Sequence, residues 1–359
     1  MFQKKLIMAL QRKQYSMVFP KVNKYIILFF AVALLVAGAR AYQLFQYIFK
    51  ENVKKEYVLF IHEGDTYDQV LKTLTDNEVL YDLKAFKWVS KKKKYPAAVK
   101  PGRYLLKKGM NTNQVVNMLR AGEQDPVNVV FNNIRFKEQF AGAISKYLQA
   151  DSLSLLALFS PETARKYGFL PENFSAMFIP NTYQFYWTTS ATEFADRMKT
   201  EYDRFWNEAR KTKAQQLGLT PPEVATLASI VQEETNKNDE KPIVAGVYLN
   251  RLKKGIPLQA DPTVKFAMGD FAIQRVLNSH LETESPYNTY RYAGLPPGPI
   301  SFAEISSIDA VLNYQKHNYL YFCAREDFSG YHNFARTLSE HNRNAEKYRS
   351  ALNKLKIWK

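Results

Sequence analysis

The most apolar part of the chain lies near its N-terminus. From Tyr25 to Ala39 the sequence contains no charged residue, and beyond Arg40 the apolar pattern continues to Phe49. A helix that spans a membrane needs about 20 apolar residues, so the run is long enough only if Arg40 extends its guanidinium towards the headgroups. The pattern predicts a transmembrane helix over residues 25–49.

Basic residues decide the orientation of this helix. Residues 1–24 contain six lysines and arginines and no acidic residue. By the positive-inside rule, this basic tail is cytoplasmic and the rest of the chain lies on the outer, periplasmic side of the cell membrane. The alternative is a cleaved signal peptide, since Ala37-Gly38-Ala39 resembles a processing site. The long basic leader and the apolar residues beyond that site favour a retained single-pass anchor.

Short β-rich runs alternate with helical patterns in the next segment. Val58–Ile61 precedes a helical pattern that Asp65 or Thr66 can cap, and Tyr104–Leu106 precedes a second helical pattern. These two strand–helix units predict a small α+β module over residues 51–122.

A larger domain over residues 126–359 follows this module. It opens with another β-rich run, Val127–Phe131, and helical patterns dominate the remainder. The sequence therefore predicts a mostly helical domain with short β elements, and an α+β fold class for the whole chain. Two segments rich in aromatic and turn residues begin at Pro180 and Ser285. They suit the walls of a sugar-binding cleft, although such residues also form cores and ordinary turns.

Composition and charge narrow the range of functions. The single Cys323 excludes an intramolecular disulfide, and the five histidines lack metal-ligand spacing, so we expect neither a metal nor a cofactor. The net charge of +16 would suit nucleic acid, but the basic residues concentrate in the N-terminal tail and at Lys91–Lys94. No nucleic-acid-binding motif accompanies them. Proximity to a membrane explains this charge better than a nucleic-acid partner.

One helix carries the candidate chemistry. Thr220-Pro221-Pro222-Glu223 combines an N-cap threonine, a first-turn proline and a capping-box glutamate, which predicts a helix start. From Val224 onwards, apolar residues recur at the spacing of one helical face, and Glu234 continues that series. At roughly 100° per residue, Glu234 lies at the edge of the buried stripe and Glu233 on the solvent side.

The position of Glu234 bears on acid catalysis. Burial disfavours a carboxylate and raises its pKa, so a carboxyl group at the edge of a core can stay protonated near neutral pH and donate that proton. The alternative is a structural carboxylate bonded to the backbone or to an arginine.

A long segment around this helix resembles a known family. It runs from Leu227 to Gly269 and reads LASIVQEETNKNDEKPIVAGVYLNRLKKGIPLQADPTVKFAMG, and the later SPYNTYRYAGLPPGPIS fits the same pattern. Both segments resemble the endolytic murein transglycosylases, the YceG-like family. The resemblance implies a catalytic glutamate at the Glu of the Glu-Thr pair, which here is Glu234. Other members often carry Glu-Lys-Glu-Thr, so Gln232 replaces a carboxylate and is not expected to be essential.

The resemblance and the neighbouring motifs also suggest substrate-binding residues. The candidates are Gln259, Asp261, Thr263, Tyr287, Asn288, Thr289, Asn181, Tyr183, His332, His341 and Asn342. The stretch IHEGDTYDQVLKTL further resembles a LysM-like module, a fold that often cradles N-acetylglucosamine. The alternative for this module is a spacer that holds the larger domain away from the membrane.

The activity implied by the resemblance is cleavage between N-acetylmuramic acid and N-acetylglucosamine within peptidoglycan strands. Glu234 would protonate the bridging oxygen and then, as a carboxylate, accept the proton of the muramic C6 hydroxyl, which closes a 1,6-anhydro ring. The partners implied are glycan strands, the cytoplasmic membrane and peptidoglycan synthases, with termination of nascent strands as the outcome. Two alternatives remain open: a hydrolase that uses Asp261 as its second carboxylate, and a non-enzymatic scaffold that binds peptidoglycan.

Overall fold

The computed structural model describes residues 23–273 and 276–354, so most of the predicted basic tail lies outside the described residues. The chain divides into two compact units, with the boundary between Glu123 and Gln124. Helices combine with small antiparallel sheets in this chain, which confirms the α+β prediction.

The N-terminal apolar run forms helix α1, Lys24–Phe49. The side chain of Asn23 caps its first turn, and no residue of the helix is buried within the structure. A mean hydropathy of 2.0 over the most apolar window makes α1 long and apolar enough to cross a membrane. Its last turns pack on the rest of the first unit, where the rings of Tyr47 and Trp88 lie 6.2 Å apart.

The first unit is built on two antiparallel strands, β1 (Tyr57–Ile61) and β2 (Gly102–Leu106). Two helices lie between these strands in the chain and a third follows them: α2 (Tyr67–Asp76), α3 (Leu83–Lys92) and α4 (Thr112–Ala121). A short 3₁₀ turn, Tyr95–Ala97, precedes β2.

Alternation along the strands forms the core of this unit, because every second side chain of β2 faces inward. The cap of α2 is Thr66, whose hydroxyl accepts from the backbone of Gln69. This outcome decides between the two predicted caps. Asp65 instead accepts a hydrogen bond from the backbone N–H of His62, at 2.7 Å.

The second unit begins with strand β3 (Val127–Phe131), which pairs antiparallel with β4 (Asn181–Phe185). Between and after these strands lie helices and a 3₁₀ turn, Pro171–Met177. The helices are α5 (Lys137–Ile144), α6 (Ser152–Ala157), α7 (Pro161–Lys166), α8 (Ala191–Phe205) and α9 (Glu208–Leu217).

The remaining elements of this unit surround the candidate site. They are α10 (Pro221–Glu234), α11 (Lys241–Lys253), α12 (Asp261–Met268), a 3₁₀ turn (Asn278–Glu282), α13 (Ile305–Leu312), β5 (Tyr321–Ala324), β6 (His332–Ala335) and α14 (Leu338–Lys354).

Helix α10 is the central element of this unit. Every residue from Val224 to Val231 is buried, and α10 packs against α11 and α13. The predicted start at Thr220 is confirmed, since its hydroxyl caps the Glu223 N–H and the Glu223 side chain accepts from the Thr220 N–H at 2.7 Å. The prediction of a single buried face was wrong, because small residues such as Ala225 and Ser229 let neighbours pack on every side of the helix.

One close backbone contact fixes the loop before α13. A Cβ atom built on Gly298 would stand 1.8 Å from the carbonyl oxygen of Glu172, so only glycine allows this approach. The loop then continues past α10, where the Ile300 N–H donates to the hydroxyl of Ser229 at 3.0 Å. Glycine at this position therefore lets the loop pass directly against the 3₁₀ turn Pro171–Met177 before it reaches the central helix.

Candidate active site

Glu234 is the last residue of α10, and its surroundings favour the protonated carboxyl group. The negative end of the helix dipole disfavours a carboxylate at this position. The next residue, Thr235, leaves the helix with extended backbone and is itself buried. Its hydroxyl donates to the buried carboxylate of Glu240 at 3.1 Å. The end of the helix, and with it Glu234, is thereby held in place.

One hydrogen bond fixes the orientation of the Glu234 carboxyl. The hydroxyl of Tyr248, on α11, donates to Oε1 of Glu234 at 2.7 Å. Burial raises the pKa of Tyr248 well above its ordinary value, so the phenol remains a donor. A proton carried by Glu234 is therefore directed to its other oxygen, Oε2.

The pKa of Glu234 is raised to about 7, chiefly by burial. The hydrogen bond from Tyr248 lowers this pKa, and the negative charge of Asp261 raises it. A carboxyl group with a pKa near 7 can give up a proton and take one back at neutral pH, as a general acid and base must.

Glu234 lines a cavity of about 350 Å³ within the second unit. Three of the predicted substrate-binding residues line the same cavity: Gln259, Asp261 and His341. Asp261 begins α12, and its Oδ1 accepts a hydrogen bond from the hydroxyl of Tyr290. The structure thus brings four of the predicted residues together, including both carboxyl groups on which the alternatives depend.

Four further residues with polar groups line the cavity and were not predicted from the sequence: Tyr248, Arg251, Tyr290 and Tyr321. Tyr290 belongs to the aromatic segment that begins at Ser285, and the sequence alone gives it no role distinct from its neighbours. Tyr248 lies on the same side of its helix as Arg251, one turn earlier. That spacing was the available signal, but it needed the knowledge that α11 faces α10.

The loop residues next to this cavity have structural roles. Thr263 and Thr289 are buried, and their hydroxyls hydrogen-bond each other at 2.8 Å. Asn288, which is fully buried, donates to the carbonyls of Leu281 and Thr283. These three polar side chains hold the loops that present Gln259 and Asp261. Tyr287 packs against Phe266, with the ring centroids 4.7 Å apart.

The other predicted residues lie away from the cavity wall. Tyr183 packs on Phe131 and donates to the Ile179 carbonyl at 2.7 Å. Asn181 is exposed at the start of β4, and Asn342 is exposed on α14.

His332 is also placed away from the wall, where its Nδ1 lies 2.7 Å from Oε2 of Glu240. Since Glu240 also binds Thr235, this histidine supports the end of α10 indirectly. His332 is thus connected to Thr235, the residue after Glu234, through the side chain of Glu240.

Glu233 differs from its predicted environment. Instead of being an exposed anion, its side chain is 9% exposed and forms an ion pair with Arg135 at 2.9 Å. Helical periodicity could not reveal this partner, which comes from the loop before α5. Gln232 bonds to the backbone of another loop, where its Oε1 accepts from the Glu304 N–H at 2.8 Å. Within residues 23–273 and 276–354, no three His, Cys, Asp or Glu side chains are grouped to hold a metal.

The family follows from comparison with known proteins. A family model described as YceG-like matches residues 59–347. The chain belongs to the YceG-like family. This confirms the resemblance carried by the segment from Leu227 to Gly269 and its later motifs.

Individual relatives agree with this family. The chain is 30% identical over 309 residues to a protein named endolytic murein transglycosylase from Bacillus subtilis (strain 168), covering 82% of this chain and 85% of that protein. It is 27% identical over 370 residues to the protein of the same name from Streptococcus pneumoniae serotype 2, of which it spans 66%. The crystal structure of a putative YceG-like protein from Listeria monocytogenes matches with a TM-score of 0.53 and 29% identity, covering 80% of this chain and 98% of that chain.

Proposed function

We propose that this chain is a lytic transglycosylase that cuts between N-acetylmuramic acid and N-acetylglucosamine inside peptidoglycan strands. The observation that carries the proposal is Glu234, a carboxyl group with a pKa of about 7 in a cavity wall. The names of the bacillary and streptococcal relatives supply the substrate class. Termination of nascent strands beside a peptidoglycan synthase is the corresponding role in the cell.

Glu234 acts twice in the proposed reaction. Its Oε2 proton passes to the bridging oxygen, and the bond from that oxygen to C1 of the muramic residue breaks. The carboxylate that remains then takes the proton of the C6 hydroxyl as O6 attacks C1. The products are a 1,6-anhydro-muramic end and a free N-acetylglucosamine 4-hydroxyl, and Glu234 regains its proton.

Asp261 supports a second candidate, hydrolysis by two carboxylates. It lines the same cavity as Glu234, and its charge raises the pKa of Glu234. The hydrogen bond from Tyr290 to Asp261 favours a fixed supporting role over a nucleophilic one.

Mass spectrometry of the released fragments separates the two reactions. Purified sacculi are incubated with the full-length chain in detergent. We expect 1,6-anhydro-muramic ends. Reducing ends would transfer the proposal to hydrolysis with Asp261 as the second carboxylate, and the absence of any cleavage would leave a peptidoglycan-binding scaffold.

Localisation is the second part of the proposal. Helix α1 is taken to span the cytoplasmic membrane once, because it is 26 residues long and none of its residues is buried in the structure. By the positive-inside rule, the excess of basic residues in the first 24 positions supports a cytoplasmic N-terminus, with the chain beyond residue 50 on the outer side. We further propose that residues 51–122 form a LysM-like glycan-binding module, with two helices between paired strands.

The pH dependence of the activity tests the environment of Glu234. Because the first step needs the protonated carboxyl group, kcat/KM should fall as pH rises through about 7. Tyr248→Phe removes a hydrogen bond that favours the carboxylate, so the pKa rises and the fall moves to higher pH. Asp261→Asn removes a negative charge, so the pKa drops and the fall moves to lower pH.

The measurement is a pH profile of kcat/KM for the wild type and both variants. Opposite displacements are expected. Displacement of both variants in the same direction would contradict the assignment of the titrating group to Glu234.

A further inference from the structure

A buried cation lies in the wall of the cavity that contains Glu234. Arg251, on α11, is 7% exposed, and burial lowers the pKa of its guanidinium, which nevertheless stays protonated. Removal of a charge from water is unfavourable unless a counter-charge or a full set of hydrogen bonds compensates for it. The partners of this guanidinium therefore determine what the cavity is built to bind.

Every hydrogen-bond acceptor that the described residues offer to this guanidinium is neutral. Its Nε donates to the carbonyl of Leu320 at 2.7 Å. Its Nη1 donates to the carbonyls of Pro257 and Leu258 at 3.0 and 2.9 Å, and to Oε1 of Gln259 at 3.1 Å. The guanidinium also lies over the ring of Tyr321, 5.1 Å from its centroid.

No carboxylate in the described ranges forms an ion pair with Arg251. The two carboxyl groups of the cavity are otherwise engaged, since Glu234 binds Tyr248 and Asp261 binds Tyr290. His341, which lines the same cavity, adds no negative charge, and burial lowers its pKa, as does the charge of Arg251.

One nitrogen of the guanidinium remains available. Nη2 of Arg251 has no hydrogen-bond partner among the described residues. It is not completely buried, unlike the other polar atoms without a partner such as the Trp206 Nε1. Because Arg251 lines the cavity and its Nε and Nη1 are bound to protein acceptors, Nη2 is the nitrogen left for a ligand there. A guanidinium with neutral partners on one side and a cavity on the other is suited to bind an anion.

The proposed reaction adds an electrostatic reason for an anion at this place. Glycosidic cleavage passes through a transition state with positive charge at the sugar ring. The charge of Arg251 opposes that positive charge, whereas the negative charge of Asp261 in the same cavity favours it. A substrate anion on Arg251 would offset the charge of the guanidinium and fix the sugar relative to Glu234.

We propose that Arg251 binds a carboxylate carried by the muramic residue whose glycosidic bond Glu234 protonates. This inference rests on the proposed function and adds the recognition of the substrate. The cavity of about 350 Å³ brings both side chains to the same small space. Two sources supply the carboxylate: the lactyl group of a peptide-free muramic residue, and the stem peptide of a substituted one.

Four glycan substrates separate the sources. They are peptide-free glycan, peptide-free glycan with its lactyl carboxylates converted to amides, stem-bearing glycan, and stem-bearing glycan with its carboxylates converted to amides. We measure kcat/KM of the full-length chain in detergent on each. The carboxylate form of one pair should be cleaved about tenfold to a hundredfold faster than its amide, as expected for loss of a charge-assisted hydrogen bond. The pair that responds identifies the source.

Variants of Arg251 assign the preference to this side chain. Arg251→Gln should reduce the carboxylate-to-amide ratio to about one. Arg251→Lys should keep part of the ratio, because the charge remains and the planar fork is lost. Lys265→Gln is the matched control: it removes another cation that acts on Glu234 from outside the cavity wall, and it should keep the full ratio.

The design remains decisive if Arg251→Gln fails to fold, because the wild-type ratios and the lysine variant still test the proposal. Equal kcat/KM on a carboxylate substrate and its amide, in both pairs, would overturn it. So would a preference that Arg251→Gln retains. Absence of cleavage of all four substrates by the wild type would instead refute the proposed function.

Discussion

Glu234→Gln should lower the cleavage of sacculi by about 10²–10⁴-fold, the usual contribution of a general acid or base. The amide has the size and shape of the carboxyl group, and its oxygen can still accept the hydrogen bond of Tyr248. It has no proton of suitable acidity for the bridging oxygen. The measurement is the rate of release of soluble muropeptides by the full-length variant.

Glu233→Gln provides the matched control, since the same substitution is made at the neighbouring residue. Glu233 pairs with Arg135 and does not line the cavity, so its variant should cleave within a few-fold of the wild type. An equal loss in both variants would mean that the helix end, and not the acid, had been damaged. Near-normal cleavage by Glu234→Gln would remove Glu234 from the mechanism.

Glu234→Gln should also stabilise the folded protein above pH 7. In the unfolded chain Glu234 loses its proton near its ordinary pKa of 4.5, whereas in the folded chain it keeps the proton up to about pH 7. Stability therefore falls as pH rises between these values, because the folded state binds more protons. One pKa unit corresponds to about 1.4 kcal/mol, so Glu234→Gln should gain up to about 3 kcal/mol in the free energy of unfolding at pH 8.

Thermal unfolding at pH 4 and pH 8 measures this effect. The gain for Glu234→Gln should appear at pH 8 and be small at pH 4, where the carboxyl is protonated in both states. Glu233→Gln should show a modest loss at pH 8, since it breaks the ion pair with Arg135. A gain that is independent of pH would show that ionisation of Glu234 is not its cause.

The sequence was informative where the signals are local. The capping box at Thr220 defines the start of α10 from four consecutive residues, and the uncharged run after Lys24 defines α1. Glu234 was found by combining helical spacing with a resemblance over the surrounding segment. Each of these predictions depends on residues that are close in the chain.

The rest of the site depends on contacts between distant segments. Arg135 is 98 residues from Glu233, so no periodicity could reveal that the latter is paired. The aromatic motif after Ser285 predicted loop residues but could not separate their roles. Asn288 and Thr289 turned inward to hold backbone groups and other loops, while Tyr290 reached Asp261 in the cavity. The helical pattern of α11 likewise carried no mark that Tyr248 and Arg251 face the acid.

The cavity wall is completed late in synthesis, because several of its residues lie far beyond Glu234 in the chain. Glu234 is made long before Tyr321, Leu338 and His341, which line the same cavity. The raised pKa of Glu234 depends on burial, and an incomplete wall leaves its carboxyl open to water. A nascent chain that ends at α10 therefore carries the glutamate without the complete cavity wall that the folded chain builds around it.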